Sequence, residues 1–385
     1  MAAEIPRPLR GMTWDHPRAH QPLAAFDARA RPGDVRVGWD RQSLADFEAH
    51  PIGDLAQRYD FIIVDHPGLG GAVEQHALLP LDEVFGPGEL AGWRSKTVGP
   101  TWSSYRYAGH QWAIPIDAAT QVTVRRPDLL PTAPTRWQDL PELAREVRIT
   151  LCLGGPHAFL GLLGMCASTG GTRSSGTHSG EDGGLFDVTT ATEALILLRA
   201  LWWVGDQATS LLDPIGVHEA MAASSDLAYC PLAYGYARYS EPELGRHRLV
   251  WSAAPGWQDG PEGSVLGGTG LAVSRHSADR LDDIRAYVRA FLADDVQSDL
   301  VPASGGQPAH LAAWDSPSVD RRWGGYYSAT RSSIESAWIR PRFPGWIGFQ
   351  DRASELVREW VVGAAGGTAL TLADTLNQTF TEEFA

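Results

Sequence analysis

The sequence predicts an α/β fold made of two lobes. Strand-like apolar runs alternate with amphipathic helical segments, which is the pattern of sheets flanked by helices. The chain has 385 residues, and single hydrophobic cores stop growing at about 250–300 residues, so about two domains are expected. Several apolar runs end in polar or glycine-rich turns, where ligands of open α/β sheets collect. We therefore expect two lobes with mostly parallel sheets and polar residues at the strand ends.

Composition excludes several classes of partner. Apolar residues make up 43% of the chain and charged residues 20%, as in ordinary globular proteins. The 46 acidic residues exceed the 32 basic ones, which gives a formal charge of −14. This excess repels phosphate backbones and anionic lipids, so we expect neither nucleic acid nor a membrane as a partner. A small-molecule ligand or substrate is the expected partner.

The N-terminus and the cysteines bear on the compartment and on cofactors. The start has no basic region followed by an apolar run, so the expected location is the cytoplasm, or outside it if a signal has been trimmed away. Cys152, Cys166 and Cys230 lack the spacing of a zinc site, so we expect three reduced and mostly buried thiols. No metal and no cofactor are expected.

The first elements follow a β-α-β order. Alternation predicts strands at 9–14 and 35–39 with a helix over 17–30 between them, and Ser43 begins a further helix. The continuous apolar run 61–64 is typical of a strand buried on both faces. A short strand at 112–116, stopped by Asp117, then leads the chain towards the second lobe.

The chain is expected to cross between the lobes three times. Lobe 1 comprises 1–117 and 264–313, and lobe 2 comprises 118–263 and 314–385. A flexible loop is predicted over 168–184 because Gly, Ser and Thr dominate it. The remaining predicted elements are strands at 149–153, 227–229 and 267–274, and helices that begin at Thr190, Ser277 and Asp351.

Several motifs occur in an order that resembles the bacterial extracellular solute-binding proteins of the carbohydrate-binding family. They are Asp65-His66-Pro67, Tyr107-x-Gly109 with Pro115, Pro134-Thr-Arg-Trp-Gln-Asp-Leu140, Gly267–Ser274 and Ser304-Gly-Gly-Gln-Pro308. The resemblance spans roughly residues 9 to 350. It implies a periplasmic-binding-protein-like fold of type II, with two discontinuous lobes, a hinge and a ligand cleft between the lobes. It also implies an ABC-type permease as partner if the protein is exported.

Two Asp-His-Pro triplets form the first candidate site. Asp15-His16 follows Trp14 at the end of one predicted strand, and Asp65-His66 follows the neighbouring strand. A His beside a carboxylate can donate or accept a proton near neutral pH, and both can hydrogen-bond a ligand. The alternative is that these side chains cap the turns and helices that follow them.

The crossover forms a second candidate site. The resemblance implies that Asp117, Thr120 and Gln121 line the hinge and reach hydroxyl or amino groups of a ligand, since a carboxylate accepts several charge-assisted hydrogen bonds. The alternative is that Asp117 satisfies backbone amides at the hinge.

Aromatic residues and scattered polar residues complete the candidates. The chain has 15 Trp, and aromatic faces hold sugars and aromatic ligands by stacking, whereas the alternative, favoured for any single Trp, is that it belongs to the core. Arg340 and Arg342 would bind a ligand carboxylate if they lie in the cleft, and the alternative is that they form salt bridges at the surface. The additional predicted ligand residues are Trp14, His157, Tyr234, Tyr236, Thr269, Tyr326 and Arg342.

Three functions are compatible with these patterns. The first is binding of a small polar or aromatic molecule, sugar-like by the resemblance. The second is a cytoplasmic, cofactor-independent enzyme that uses Asp15, His16, Asp65, His66 and Asp117 for acid/base chemistry on an aromatic or carbonyl substrate, such as a condensation, cyclisation or decarboxylation. The third is a ligand-sensing regulatory subunit.

Overall fold

The computed structural model describes residues 8–170, 172, 184–241, 246–257, 260 and 262–384. Within them the strands are β1 (Leu9–Trp14), β2 (Val37–Gln42), β3 (Phe61–Val64), β4 (Arg106–Tyr107), β5 (His110–Gln111), β6 (Ala113–Arg125), β7 (Arg148–Ile149), β8 (Leu227–Tyr234), β9 (Val250–Ser252) and β10 (Leu266–Val273). Most of the flexible loop predicted over 168–184 lies outside the described residues.

The helices are distributed along the whole chain. They are α1 (Pro17–Ala28), α2 (Leu44–Ala49), α3 (Ile52–Ala56), α4 (Leu69–Glu74), α5 (Leu81–Val84), α6 (Pro87–Arg94), α7 (Thr101–Ser104), α8 (Leu140–Glu146), α9 (His157–Ala167), α10 (Val188–Val204), α11 (Gln207–Ser210), α12 (Pro214–Ala223), α13 (Leu281–Phe291), α14 (Val301–Ala303), α15 (Leu311–Trp314), α16 (Pro317–Arg322), α17 (Tyr326–Glu335), α18 (Trp346–Val362) and α19 (Ala369–Phe384). The protein is therefore a mixed α/β protein, as the sequence predicts.

The chain divides into two compact units of discontinuous sequence. Unit 1 is residues 1–118 with 268–319, and unit 2 is residues 119–267 with 320–385. The crossing points expected from the sequence, after 117, 263 and 313, lie slightly before these boundaries.

Unit 1 is built on a mixed sheet with the order β2-β1-β3-β10. The first three strands are parallel, since β1 pairs in parallel with both β2 and β3. Strand β10 is antiparallel to β3, with Gly270 opposite Val64 and Val273 opposite Phe61. The β-α-β start is confirmed, and the last residues of β1 and β3 point to the same edge of the sheet.

Unit 2 does not hold the mostly parallel sheet that the sequence predicts. Strand β6 pairs antiparallel with both β8 and β9, and β7 and β8 form the one parallel pair among the described strands of this unit. Strand β6 is also longer than predicted, and its residues are buried as far as Val124. It continues as a regular strand through Pro115 and Asp117, so the predicted strand end at Asp117 is wrong.

Several other element boundaries differ from prediction. Strand β7 ends at Ile149 instead of 153, and β8 extends beyond the predicted 227–229 to Tyr234. Helix α10 is capped by Asp187, whose side chain accepts from the Thr190 amide, rather than by Thr190. Ser277 donates instead to Asp60 Oδ1 at 2.7 Å, and α13 begins later, at Leu281. Helix α18 begins at Trp346, before the predicted start at Asp351, and α19 follows it as a further helix that was not predicted.

Candidate functional site

The carboxyl ends of β1 and β3 place two polar loops at one edge of the unit 1 sheet. Strand β1 ends at Trp14, and its loop turns at once into α1, which begins at Pro17. Strand β3 ends at Val64, and Asp65 caps the 3₁₀ turn His66–Gly68 that follows. Parallel neighbouring strands end on the same side, so both loops lie along the same edge.

The first loop is held together by stacking and by a helix cap. The indole of Trp14 stacks on the His16 ring with centroids 5.1 Å apart and on Phe47 at 5.8 Å. His16 Nδ1 accepts a hydrogen bond of 3.2 Å from the Arg18 amide at the start of α1. His16 therefore caps the helix, as the structural alternative predicted, and Trp14 is packed in the protein.

Asp15 faces away from this packing. Its side chain is 61% exposed and lies 3.4 Å from Arg41 Nη1 and 3.8 Å from His20 Nε2. An exposed ion pair of this kind contributes little to stability. The structure therefore separates Asp15 from the buried residues of the two loops.

A buried ion pair joins α1 to β6. Arg18 Nε donates to Asp117 Oδ2 at 2.8 Å, and Arg18 Nη2 donates to Asp117 Oδ1 in a second contact. Both side chains are almost excluded from solvent, at 4% and 11% exposure. The planar guanidinium fits a carboxylate with two parallel hydrogen bonds, which fixes both side chains.

The environment of Asp117 sets two effects against each other. Burial raises the pKa of the Asp117 carboxyl above its ordinary value, because the charged form loses its hydration. The Arg18 guanidinium and the Gln307 amide oppose that rise, whereas the negative charge of Asp65 adds to it. The formal charges of Arg18, Asp117 and Asp65 sum to −1, so this edge favours ligand groups that donate hydrogen bonds.

A small cavity borders the ion pair. Its volume is about 20 Å³, which is room for one water molecule or one polar group. Thr269 lines the cavity because it precedes Gly270, which pairs with Val64 at the end of β3. The polar lining residues are Thr13, Arg18, Asp117, Thr269 and Gln307.

The second loop places a His against a carboxylate. His66 Nδ1 lies 3.2 Å from Asp65 Oδ1, and the same oxygen accepts from the His66 amide at 2.8 Å. The His66 ring is fully buried and meets the edge of Tyr105 with centroids 6.1 Å apart. Asp65 remains about a quarter exposed. The carboxylate is thus the accessible member of this pair.

Four further predicted ligand residues lie buried in unit 2, namely His157, Tyr234, Tyr236 and Tyr326. His157 is the first residue of α9, and its ring lies 5.7 Å from the Tyr234 ring. Burial, followed by the charge of Arg340, lowers the pKa of His157 to about 3. Tyr236 packs against His218, and Tyr326 packs edge-on against Trp251 at 5.5 Å. These rings form part of the unit 2 core.

Thr120 and Arg342 also belong to unit 2. The Thr120 hydroxyl meets Ser264 Oγ and donates to the Val265 carbonyl at 3.1 Å, so it joins β6 to the segment before β10. Arg340 and Arg342 are 4% and 3% exposed, so the surface salt-bridge alternative is wrong for both. The predicted ligand residues are therefore divided between the two units. Those in unit 2 are Thr120, His157, Tyr234, Tyr236, Tyr326 and Arg342.

Sequence reasoning missed Arg18, Thr13 and Gln307. The signal for Arg18 was its position in the first turn of α1, where a positive charge opposes the helix dipole unless an acid neutralises it. Gln307 lies within the Ser304–Pro308 motif, and its backbone carbonyl accepts from the Ala118 amide at 2.8 Å. Thr13 sits inside a strand that reads as an ordinary core element.

Comparisons with known proteins add no identification. No protein-family model matches the chain, and no curated protein sequence matches it. Among the described residues, no cluster of three or more His, Cys, Asp or Glu could hold a metal ion. In the same part of the chain, no helix combines the length and the apolar character needed to cross a membrane.

Proposed function

We propose that this protein binds a small polar organic molecule, sugar-like in its chemistry, at the carboxyl edge of the unit 1 sheet. The observation that carries the proposal is the buried Arg18–Asp117 ion pair, which borders a cavity the size of one polar group. The proposal includes the two-lobed type II binding fold that the sequence motifs imply, in which lobes close on a ligand by hinge motion.

The charges at this edge support a ligand rich in hydrogen-bond donors. Asp117 offers its carboxylate in a fixed orientation because Arg18 holds both of its oxygens. A hydroxyl or amino group in the cavity would also meet the hydroxyls of Thr13 and Thr269. The formal charge sum of −1 on Arg18, Asp117 and Asp65 disfavours a ligand carboxylate there. Polyols and amines fit these requirements best.

The cavity is large enough for only one part of the proposed ligand. A volume of about 20 Å³ admits one hydroxyl or amino group, whereas a whole sugar needs several hundred Å³. The proposed contact with Arg18 and Asp117 is therefore an anchor for a single group. The rest of the ligand lies outside this cavity.

Acid/base catalysis has less support than binding. His16 Nδ1 is engaged by the Arg18 amide, and the His66 ring is fully buried. A general base must come within hydrogen-bond reach of the proton that it removes. The one observation in favour of catalysis is the 3.2 Å contact between His66 and Asp65.

The test is retention of a ligand by the purified full-length protein. A few micromolar protein is incubated with soluble extract of its host, separated from unbound molecules and denatured, and the released compounds are identified by mass spectrometry. The wild type should release up to one equivalent of one intact compound. Depletion of a compound well beyond one equivalent, with a new mass appearing, would show catalysis instead.

Two variants and a matched control locate the binding. Asp117→Asn and Thr269→Val should each reduce retention at least tenfold, because each removes an acceptor at the cavity. Asp282→Asn makes the same chemical change at a fully exposed carboxylate of α13 and should retain the ligand fully. The proposal fails if the wild type retains nothing, or if folded Asp117→Asn and Thr269→Val proteins retain as much as the wild type.

A further inference from the structure

A second hollow of unit 1 lies at the opposite edge of the same sheet. Its volume is about 500 Å³, within the range of small-molecule sites. It is formed where α3 ends, where α4 ends, and where β10 leaves the sheet after Val273. Because β10 is antiparallel to β3 and Val273 lies opposite Phe61, this is the amino end of β3. The hollow is therefore distinct from the cavity beside Arg18 and Asp117.

The floor of this hollow is apolar and its rim is polar. Ala56 and Ala77 are buried beneath it. Within the described part of the chain, none of the polar rim side chains makes a hydrogen bond or an ion pair with another residue. These rim residues are Asp54, Gln57, Gln75, His76, Arg275 and His276.

The backbone that carries the rim is fixed by hydrogen bonds. The Arg275 amide donates to the Ala77 carbonyl at 2.9 Å, which joins the end of β10 to the segment after α4. The Ser274 hydroxyl donates to the Ala56 carbonyl and accepts from the His276 amide at 3.1 Å. The rim side chains thus extend from a preorganised frame, which lowers the entropy cost of binding.

His76 occupies an uncommon backbone conformation. Its φ is +53°, in the left-handed region that non-glycine residues seldom adopt. The turn is held by the His76 amide on the Val73 carbonyl at 3.0 Å and the Ala77 amide on the Ala72 carbonyl at 2.9 Å. Glycine would fit this position with less strain, so the imidazole is present at a cost to the fold. Such residues concentrate at functional sites.

We propose that this hollow binds a small molecule through an oxyanion group, a phosphate or a carboxylate. Arg275, with five N–H donors in a planar fork, provides the cation that such groups prefer. Two imidazoles and two side-chain amides add further donors, and Asp54 is the one carboxylate in the rim. The overall charge of −14 does not prevent binding, because charges beyond about 8 Å are largely screened at physiological salt.

The experiment titrates the full-length protein with inorganic phosphate and, separately, with acetate at constant ionic strength. Binding is followed by the histidine ring signals in NMR spectra and by calorimetry. Saturable binding of either anion, with shifts in the signals of His76 and His276, is the expected result. A difference between the two anions identifies the preferred group. The absence of saturable binding by both anions overturns the proposal.

Variants separate this site from a general effect of charge. Arg275→Ala should weaken anion binding at least tenfold, whereas Arg29→Ala, which removes an equal charge at an exposed position outside the lining of the hollow, should leave it unchanged. His76→Gly should weaken binding several-fold while the melting temperature stays the same or rises, because glycine relieves the left-handed strain. Equal weakening by Arg275→Ala and Arg29→Ala would show that the binding is nonspecific.

Discussion

Arg18 and Asp117 are two buried charges whose desolvation would destabilise the fold if either were present alone, but which the fold tolerates as a pair. Moving both charges out of water carries a large desolvation penalty, which their two hydrogen bonds offset only while both partners are present. The pair spans 99 positions of sequence, so nothing local to Asp117 indicates its partner. The crossover motif draws attention to Asp117, but the tertiary contact decides what its carboxylate does.

Removing one partner should therefore be worse than removing both. We expect Asp117→Ala to lower the free energy of unfolding by about 3–5 kcal/mol, because it removes the carboxylate that binds the buried Arg18 guanidinium through two hydrogen bonds. The double variant Arg18→Met/Asp117→Leu should recover most of this loss. Urea unfolding of the wild type, Asp117→Ala, the single variants Arg18→Met and Asp117→Leu, and the double variant measures the effect. Additive losses in the double variant would contradict it.

Helix α9 places a histidine where a positive charge is unfavourable. His157 is the first residue of the helix, 4% exposed, and burial lowers its pKa to about 3. The positive end of the helix dipole acts in the same direction. In the unfolded chain the ordinary histidine pKa is about 6.5. The neutral form is therefore the one that the folded protein accommodates.

This difference makes stability depend on pH in a defined direction. The folded protein binds the proton less readily than the unfolded chain, so the contribution of His157 is complete above pH 6.5 and is lost as the pH falls towards 3. Between pH 7 and 4.5 the wild type should lose about 2 kcal/mol more than His157→Gln. Urea unfolding at both pH values tests this. Parallel losses in the two proteins would rule out the buried histidine as the cause.

Two glycines in unit 1 provide a matched test of helix and strand packing. Gly92 lies in α6, and a Cβ added there would meet open space, so Gly92→Ala should stabilise the protein by about 0.5–1 kcal/mol. A Cβ on Gly270 of β10 would lie 2.7 Å from Cε1 of the buried Tyr105 and 2.9 Å from Ala113 Cβ. Gly270→Ala should destabilise it by about 1–3 kcal/mol. Urea unfolding of the wild type and both variants measures these changes. Similar unfolding midpoints for the two variants would contradict the packing argument.

The elements that were predicted correctly are those whose signal is local. Strand β3 matches the predicted run 61–64, because four consecutive apolar residues between polar ones define a buried strand. Strand β6 does not match, since its burial on both faces as far as Val124 removes the alternation, and the strand continues through its proline. Helix α19 was missed altogether, although its buried Leu376 and Phe380 pack at helical spacing. Burial on all sides removes the periodicity from which elements such as β6 are recognised.

At the scale of the whole molecule, each unit is assembled from segments that are distant in sequence. Unit 1 includes residues 268–319, which follow the first segment of unit 2 in the sequence. This segment supplies β10 to the open side of β3, and α13 buries Tyr287 with its ring 5.4 Å from that of Phe61. The Ala309 carbonyl of the same segment accepts a hydrogen bond of 2.8 Å from the Val98 amide. The early sequence alone therefore lacks part of its own sheet and core.

This assembly predicts which fragments fold. The fragment 1–118 should be unfolded, because β3 lacks β10 and Phe61 lacks the cover of Tyr287. The same fragment joined to 268–319 by about ten Gly/Ser residues, which span roughly 17 Å on average, should fold as unit 1. Far-UV circular dichroism, NMR dispersion and urea unfolding distinguish the two.

The matched control is 1–118 joined through the same linker to a scrambled sequence with the composition of 268–319. It has equal length and equal apolar content, so it should remain unfolded if specific strand pairing and packing are required. Cooperative unfolding of the fragment 1–118 by itself would show instead that β1, β2 and β3 already form a sufficient core. Folding of the scrambled fusion would show that any apolar cover serves, because the contacts of β10 and α13 would then contribute no specificity to unit 1.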